Sequence, residues 1–182
     1  MLKLTENPPM VLPGVDSVSR MQGSWWVGHT LARFEKAFAW EMLHRKIGYF
    51  LPMTERVRVS GGRKRRVLAP LFPSYVFFCG AEGDRYAALT TGRLCQTICV
   101  SDQTRFVAEL EAIERALAKG AVMDPYPFAA VGKRCRVTSG PFLGTEGVVV
   151  ERSKQARLVL EVGVLGQGVA MEIDADLLEP AE

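Results

Sequence analysis

Residues 71–79 read Leu71-Phe72-Pro73-Ser74-Tyr75-Val76-Phe77-Phe78-Cys79. Pro73-Ser74 breaks the chain, and the five residues after it are apolar or aromatic at every position, which predicts a strand apolar on both faces. Such a strand needs cover on two sides, and one small core supplies only one of them. Either helices seal both faces or one face is a docking groove for a partner, and the pattern alone leaves both open.

Just upstream, Tyr49-Phe50-Leu51-Pro52 is followed by Val57 and Val59 alternating with Arg56 and Arg58, then Gly61-Gly62, then Arg63-Lys64-Arg65-Arg66-Val67-Leu68. Glycine adopts the positive φ of a primed turn at little cost, so this pattern predicts a hairpin with a two-residue loop. Arg56, Arg58, Arg63, Lys64, Arg65 and Arg66 against Glu55 give it a charge of +5. Six cations exceed what guarding an edge strand requires, so phosphate contact stands beside the reading of a solvated edge.

Further out, Trp25-Trp26-Val27-Gly28-His29-Thr30 reads as a strand. From Phe34 two apolar stripes at helical spacing, Phe34, Phe38, Met42 and Ala37, Trp40, Leu43, Ile47, predict a helix with Gly48 as its C′ residue. A short helix is expected over 84–91 and a strand over 96–100. Phe106, Val107, Leu110, Ile113 and Leu117 predict a longer helix stopped by Gly120. After Asp124-Pro125-Tyr126-Pro127, a rigid connector, short runs at 134–137, 147–150, 158–162 and 169–173 separated by glycine turns predict a small antiparallel barrel. The expected division is a disordered leader 1–23, a first domain 24–120, a linker 121–128 and a barrel 129–182.

With 182 residues the chain is long enough for two small domains, and at 48% apolar and 24% charged it has the composition of a folding chain. Net charge is only +3, but residues 1–127 hold 17 basic against 12 acidic groups and 128–182 hold 6 against 8, so the halves face different partners. No apolar run approaches the roughly 18 residues of a membrane span. Cys79, Cys95, Cys99 and Cys135 form no CxxC pair and are expected to be reduced, buried thiols. His29 and His44 sit in no triad or metal-ligand spacing, and no glycine-rich phosphate loop occurs, which favours a binding protein over an enzyme.

The Trp25–Thr30 strand with its helix, Pro70-Leu71-Phe72-Pro73-Ser74-Tyr75-Val76-Phe77, and Gly132-Lys133-Arg134-Cys135-Arg136-Val137-Thr138-Ser139-Gly140-Pro141-Phe142-Leu143-Gly144-Thr145-Glu146-Gly147 together resemble the NusG family of transcription elongation factors. The resemblance spans Ser24 to Pro180. It implies an α+β NGN domain, an antiparallel sheet flanked by helices, followed by an all-β, five-stranded SH3-like KOW barrel.

It also implies a cytoplasmic, monomeric, non-catalytic elongation or antitermination factor without cofactor, metal or membrane partner. The NGN domain would lie on the clamp helices of RNA polymerase through His29, Phe72, Pro73, Tyr75 and Phe77, with Tyr75 and Phe77 as anchors. It would reach the opposite wall of the DNA channel through Arg85, Thr90, Thr91 and Arg93, suppressing pausing. The basic hairpin would face upstream or non-template DNA. The barrel loop, with Gly140, Pro141, Phe142, Gly144 and Gly147, belongs to a domain that in relatives recruits Rho or a small-subunit ribosomal protein. The leader, Trp26 and the basic hairpin depart from the housekeeping form and are similar to specialised antitermination paralogues. The alternative is a ribosome- or RNA-associated KOW module, which the net −2 of residues 128–182 disfavours.

Overall fold

β1 (Ser24–Thr30) is the spine of the first unit, antiparallel to β5 (Tyr75–Gly80) on one side and to β6 (Leu94–Cys99) on the other. β2 (Gly48–Phe50) pairs with the far edge of β5, giving the order β2-β5-β1-β6. The computed structural model describes residues 6–60, 62–126, 132–152 and 155–181, and the chain divides into units 1–103 and 104–182.

Strand alternation assigns each aromatic residue a face. Trp26, Val76 and Phe78 join Phe38, Ala39 and Met42 of helix α1 (Glu35–Arg45) in one buried cluster with Tyr49, Leu51 and Met53. The Phe78 ring meets Phe38 edge-on at 5.7 Å and Trp26 at 5.6 Å. Each such side chain contributes about 1.5–3 kcal/mol on burial, so this face carries much of the unit's stability. Helix α2 (Glu82–Leu89) packs against β5 and β6. β3 (Met53–Ser60) and β4 (Arg63–Pro70) form a separate two-stranded sheet, the hairpin the sequence predicts, with Gly62 at φ 72° before β4; Gly61 lies outside the described residues.

Two local expectations are corrected. Lys46, not Gly48, takes the left-handed position ending α1, with φ 58°. Gly48 is needed for space instead, since a Cβ there would stand 2.7 Å from the Cys79 sulfur. The segment expected to be a disordered leader has defined structure from residue 6 onward. The Leu51 N–H donates to the Met10 carbonyl at 2.7 Å, Val11 bridges to Phe50, the Tyr49 hydroxyl donates to the Pro9 carbonyl at 3.0 Å, and Val18 is fully buried. Burial pushes the Tyr49 phenol up to about 12, so it acts as a donor throughout the physiological range.

The connector also differs from expectation. Residues 127 and 128 lie outside the described residues, but Asp124–Tyr126 form strand β7 and pair with β11 (Gln167–Glu172). The second unit is an antiparallel sheet of six strands, β12-β8-β9-β10-β11-β7, with β8 at Lys133–Val137, β9 at Glu146–Arg152, β10 at Gln155–Val162 and β12 at Leu178–Pro180. Val137, Leu158, Val159, Leu160, Val162 and Val169 are buried in it. Gly147 is required there, because a Cβ would meet the Val159 carbonyl oxygen at 2.5 Å. Helix α3 (Gln103–Ala118), expected with the first domain, groups from Thr104 on with these strands, where Glu109 accepts the Gly163 N–H at 3.0 Å.

Cys79 and Cys135 are buried, whereas Cys95 and Cys99 are exposed, because β6 is an edge strand. Burial, with the Asp84 carboxylate adding to it, pushes the Cys79 thiol up to about 12, and only the thiolate is nucleophilic. Native protein treated with iodoacetamide at pH 8 is therefore expected to carry label on Cys95 and Cys99 and none on Cys79 or Cys135 by peptide mass spectrometry. Labelling of Cys79 at the rate of Cys95 would contradict the packing.

Candidate functional site

The face of β1 and β5 opposite the α1 cluster carries the residues expected to dock. Register pairs Trp25 with Cys79, Val27 with Phe77 and His29 with Tyr75, so all six share that face. The His29 and Tyr75 rings stack at 5.0 Å, 23° from parallel, and both are half-buried. Pro73 is exposed beside them.

Phe77 and Phe72 are different. They are 0% and 1% exposed; the Phe72 ring meets Phe77 edge-on at 5.3 Å, and the Phe50 ring lies tilted against Phe77 at 6.3 Å. The expectation of Phe77 as an exposed anchor is thus corrected: it lies deeper on the strand, where Phe50 and Phe72 pack against it. Tyr75 and His29, nearer the strand ends, keep accessible edges.

The turn that presents this pair is held by a side chain the sequence reading did not single out. Ser74 sits at φ 67°, a left-handed conformation costly for a residue with a Cβ. Its N–H donates to the Glu35 carboxylate at 2.7 Å, while its carbonyl accepts the Thr30 N–H at 2.8 Å. Glu35 is 7% exposed at the first turn of α1, where a carboxylate is also favoured by the helix dipole. The signal in the sequence was only an acidic residue opening a helix, which is too common to notice.

The residues expected at an opposite wall are spread around α2 and the loop after it. Arg85 is committed to Glu82, its Nε at 2.7 Å, and also donates to the Thr97 hydroxyl at 3.2 Å; the hydrogen bond from Arg85 holds the Glu82 carboxyl below its usual range. Thr90 and Thr91 turn their hydroxyls onto the α2 carbonyls of Ala87 and Ala88. Arg93 lies with its guanidinium carbon 5.1 Å from the centre of the Phe34 ring.

On the hairpin, Arg63, Lys64, Arg65 and Arg66 are exposed and Arg56 is half-buried; the Arg58 side chain lies outside what is described. Glu55 pairs with Arg66 at 3.3 Å. Val57 and Val59 are 61% and 67% exposed, a pair of apolar residues in a basic field.

In the second unit, Gly140 and Gly144 have φ of 80° and 79° and shape the loop before β9. Pro141 is exposed, Phe142 is half-buried, and Leu143, which sequence reasoning passed over, is 60% exposed. A cleft of about 300 Å³ between α3 and β9–β10 is lined by Arg105, Arg115, Arg134, Glu109, Glu146 and Glu161 with apolar residues.

These features define a two-part chain: an α+β unit with an aromatic face and a basic ribbon, followed by an antiparallel β unit. The family described as transcription termination factor nusG matches residues 23–123, and the KOW motif matches residues 131–161. The chain belongs to the NusG family. It is similar to the transcription termination/antitermination protein NusG of Escherichia coli K12, 26% identical over 86% of this chain and 96% of that protein. The NusG of Pseudomonas aeruginosa is 26% identical over 87% of this chain and 99% of its own length. That of Deinococcus radiodurans is 28% identical over 85% and 97%.

The Glu35 bond gives a direct test of how the turn is held. Removing a buried acceptor leaves its donor unsatisfied at a cost of about 1–3 kcal/mol. Glu35→Ala is expected to lower the urea-unfolding free energy by about that amount, while Glu35→Gln, which keeps a carbonyl acceptor, retains most of it. Equal losses in the two variants would contradict the role of the acceptor.

Proposed function

We propose that this chain is a non-catalytic transcription elongation and antitermination factor that works in the cytoplasm. It docks on the clamp helices of RNA polymerase through the face bearing His29 and Tyr75. The observation that carries the reading is the stacked His29–Tyr75 pair, half-buried at the end of a face whose deeper part is closed by Phe77 and Phe72. Stacking fixes the two rings before any partner arrives, so little side-chain entropy is left to lose on binding. Amphipathic aromatics on a rigid strand are the residues that dominate interface energies.

In this reading Pro73 completes the docking surface, and Phe72 and Phe77 support it from beneath. The second contact, across the DNA channel, falls to the region of Arg85, Thr90, Thr91 and Arg93, of which Thr90 is exposed. A protein that touches both walls of a cleft favours the closed state by its differential affinity for that state, and a closed polymerase pauses less. The basic hairpin contacts nucleic acid. The antiparallel unit recruits a further partner, Rho or a small-subunit ribosomal protein, with its exposed loop at Pro141 and Leu143 as a contact.

The division between surface and floor yields opposite outcomes for two neighbouring rings. Tyr75→Ala is expected to weaken binding to core polymerase by about 1–3 kcal/mol with the fold intact. Phe77→Ala is expected to cost about 3–5 kcal/mol of folding stability. Calorimetric titration with core polymerase and urea unfolding measure the two. Unchanged polymerase binding by the Tyr75 variant would overturn the docking face.

A further inference from the structure

Resting on the reading of the β3–β4 hairpin as a nucleic-acid contact, we propose that its ligand is double-helical DNA, gripped in the major groove by one face of the ribbon. Register divides the hairpin into two unlike faces. Arg56 opposite Val67, Arg58 opposite Arg65 and Ser60 opposite Arg63 share one; Glu55 opposite Leu68, Val57 opposite Arg66 and Val59 opposite Lys64 share the other. Every cation on the first face is therefore arginine. The second face mixes valine, one lysine and an arginine already paired with Glu55 at 3.3 Å.

That sorting is the informative part: Arg63 and Arg65 are exposed on this face, and an edge that needs only protection from aggregation is served by scattered lysines. Arginine also offers what lysine cannot, a planar fork that meets phosphate or the guanine O6 and N7 pair with two hydrogen bonds.

The kind of nucleic acid follows from what the ribbon lacks and from its shape. Neither strand, 53–60 or 63–70, contains an aromatic residue, so the ribbon offers unpaired bases only arginine planes and none of the aromatic platforms on which single strands and RNA loops stack. The deep, narrow major groove of A-form RNA shuts side chains out. The B-form groove, about 12 Å wide, admits a two-stranded ribbon, and β3–β4 forms its own two-stranded sheet apart from the main one. Along β4, Arg63 and Arg65 are two residues apart, about 6.7 Å, close to two base-pair rises of about 3.4 Å.

The test uses the full chain with three probes: a 20-bp DNA duplex, the corresponding 20-nt single strand and a 20-bp RNA duplex, each titrated by fluorescence anisotropy between about 50 and 200 mM KCl. The DNA duplex is expected to bind tightest throughout, with log K falling against log salt at a slope of about −3.6 for four phosphate contacts. Arg63→Gln with Arg65→Gln should reduce that slope to about −1.8, whereas Lys64→Gln with Arg66→Gln, on the other face, should leave it near the wild-type value. Equal affinity for the single strand or the RNA duplex, or equal losses in the two double variants, would overturn the proposal while leaving the hairpin a nucleic-acid contact. No binding to any probe, with polymerase binding retained, would overturn the hairpin reading and the proposal with it.

Discussion

The antiparallel register that places His29 beside Tyr75 is the constraint on which the first unit depends. Because side chains alternate with a period of two, that register sends Trp26, Val76 and Phe78 to the α1 cluster and Trp25, Val27, Phe77 and Tyr75 to the other face. A slip of one residue would exchange the sets and bury the polar edge of His29 in the core. The α1 cluster secures the register energetically. Its position at the end of the strand pair then leaves the His29–Tyr75 stack accessible, beside a turn pinned by Glu35.

One sheet therefore does two jobs with its two faces, and the second job is graded along the strand. Toward Phe77 the face is closed by other aromatic rings, and toward Tyr75 it opens. The hairpin shows the same economy of alternation: the register gives one face of β3 and β4 cations that are all arginine, and gives the other Val57 and Val59 with Lys64 and the Glu55-paired Arg66. In both places a period-two pattern in the sequence becomes two surfaces with different chemistry. Membership of the NusG family gives these surfaces a setting in transcription.

Much of this was legible in the residues. The Gly-Gly loop between extended runs gave the hairpin because a backbone conformation decided it, and the glycine-punctuated runs after residue 132 gave the strands for the same reason. What escaped the sequence depends on contacts between distant segments. Pro8, Pro9 and Pro13 look like a leader without structure, yet the Met10 carbonyl finds the Leu51 N–H and Val11 reaches Phe50. Gly48 resembles a helix stop, but its reason is the Cys79 sulfur across the sheet. Pro125 marks a break in any local reading, although Asp124–Tyr126 serve as an edge strand, the place where a sheet tolerates proline. On the candidate site, His29 and Tyr75 were named by the family resemblance, while their stacking comes from the register of β1 against β5. The depth of Phe77, the exposure of Leu143 and the grip of Glu35 on Ser74 were not legible either, since each depends on neighbours far along the chain.

The central claim is that the accessible stack is where polymerase sits. Site-specific photocrosslinking measures this most directly, with a benzophenone side chain placed at Tyr75 and, separately, at the exposed Tyr86 of α2. Irradiated with core polymerase, the probe at 75 is expected to give an adduct whose crosslinked peptide maps to the clamp helices, and the probe at 86 is not. Adducts from 86 to those helices with none from 75 would contradict the account.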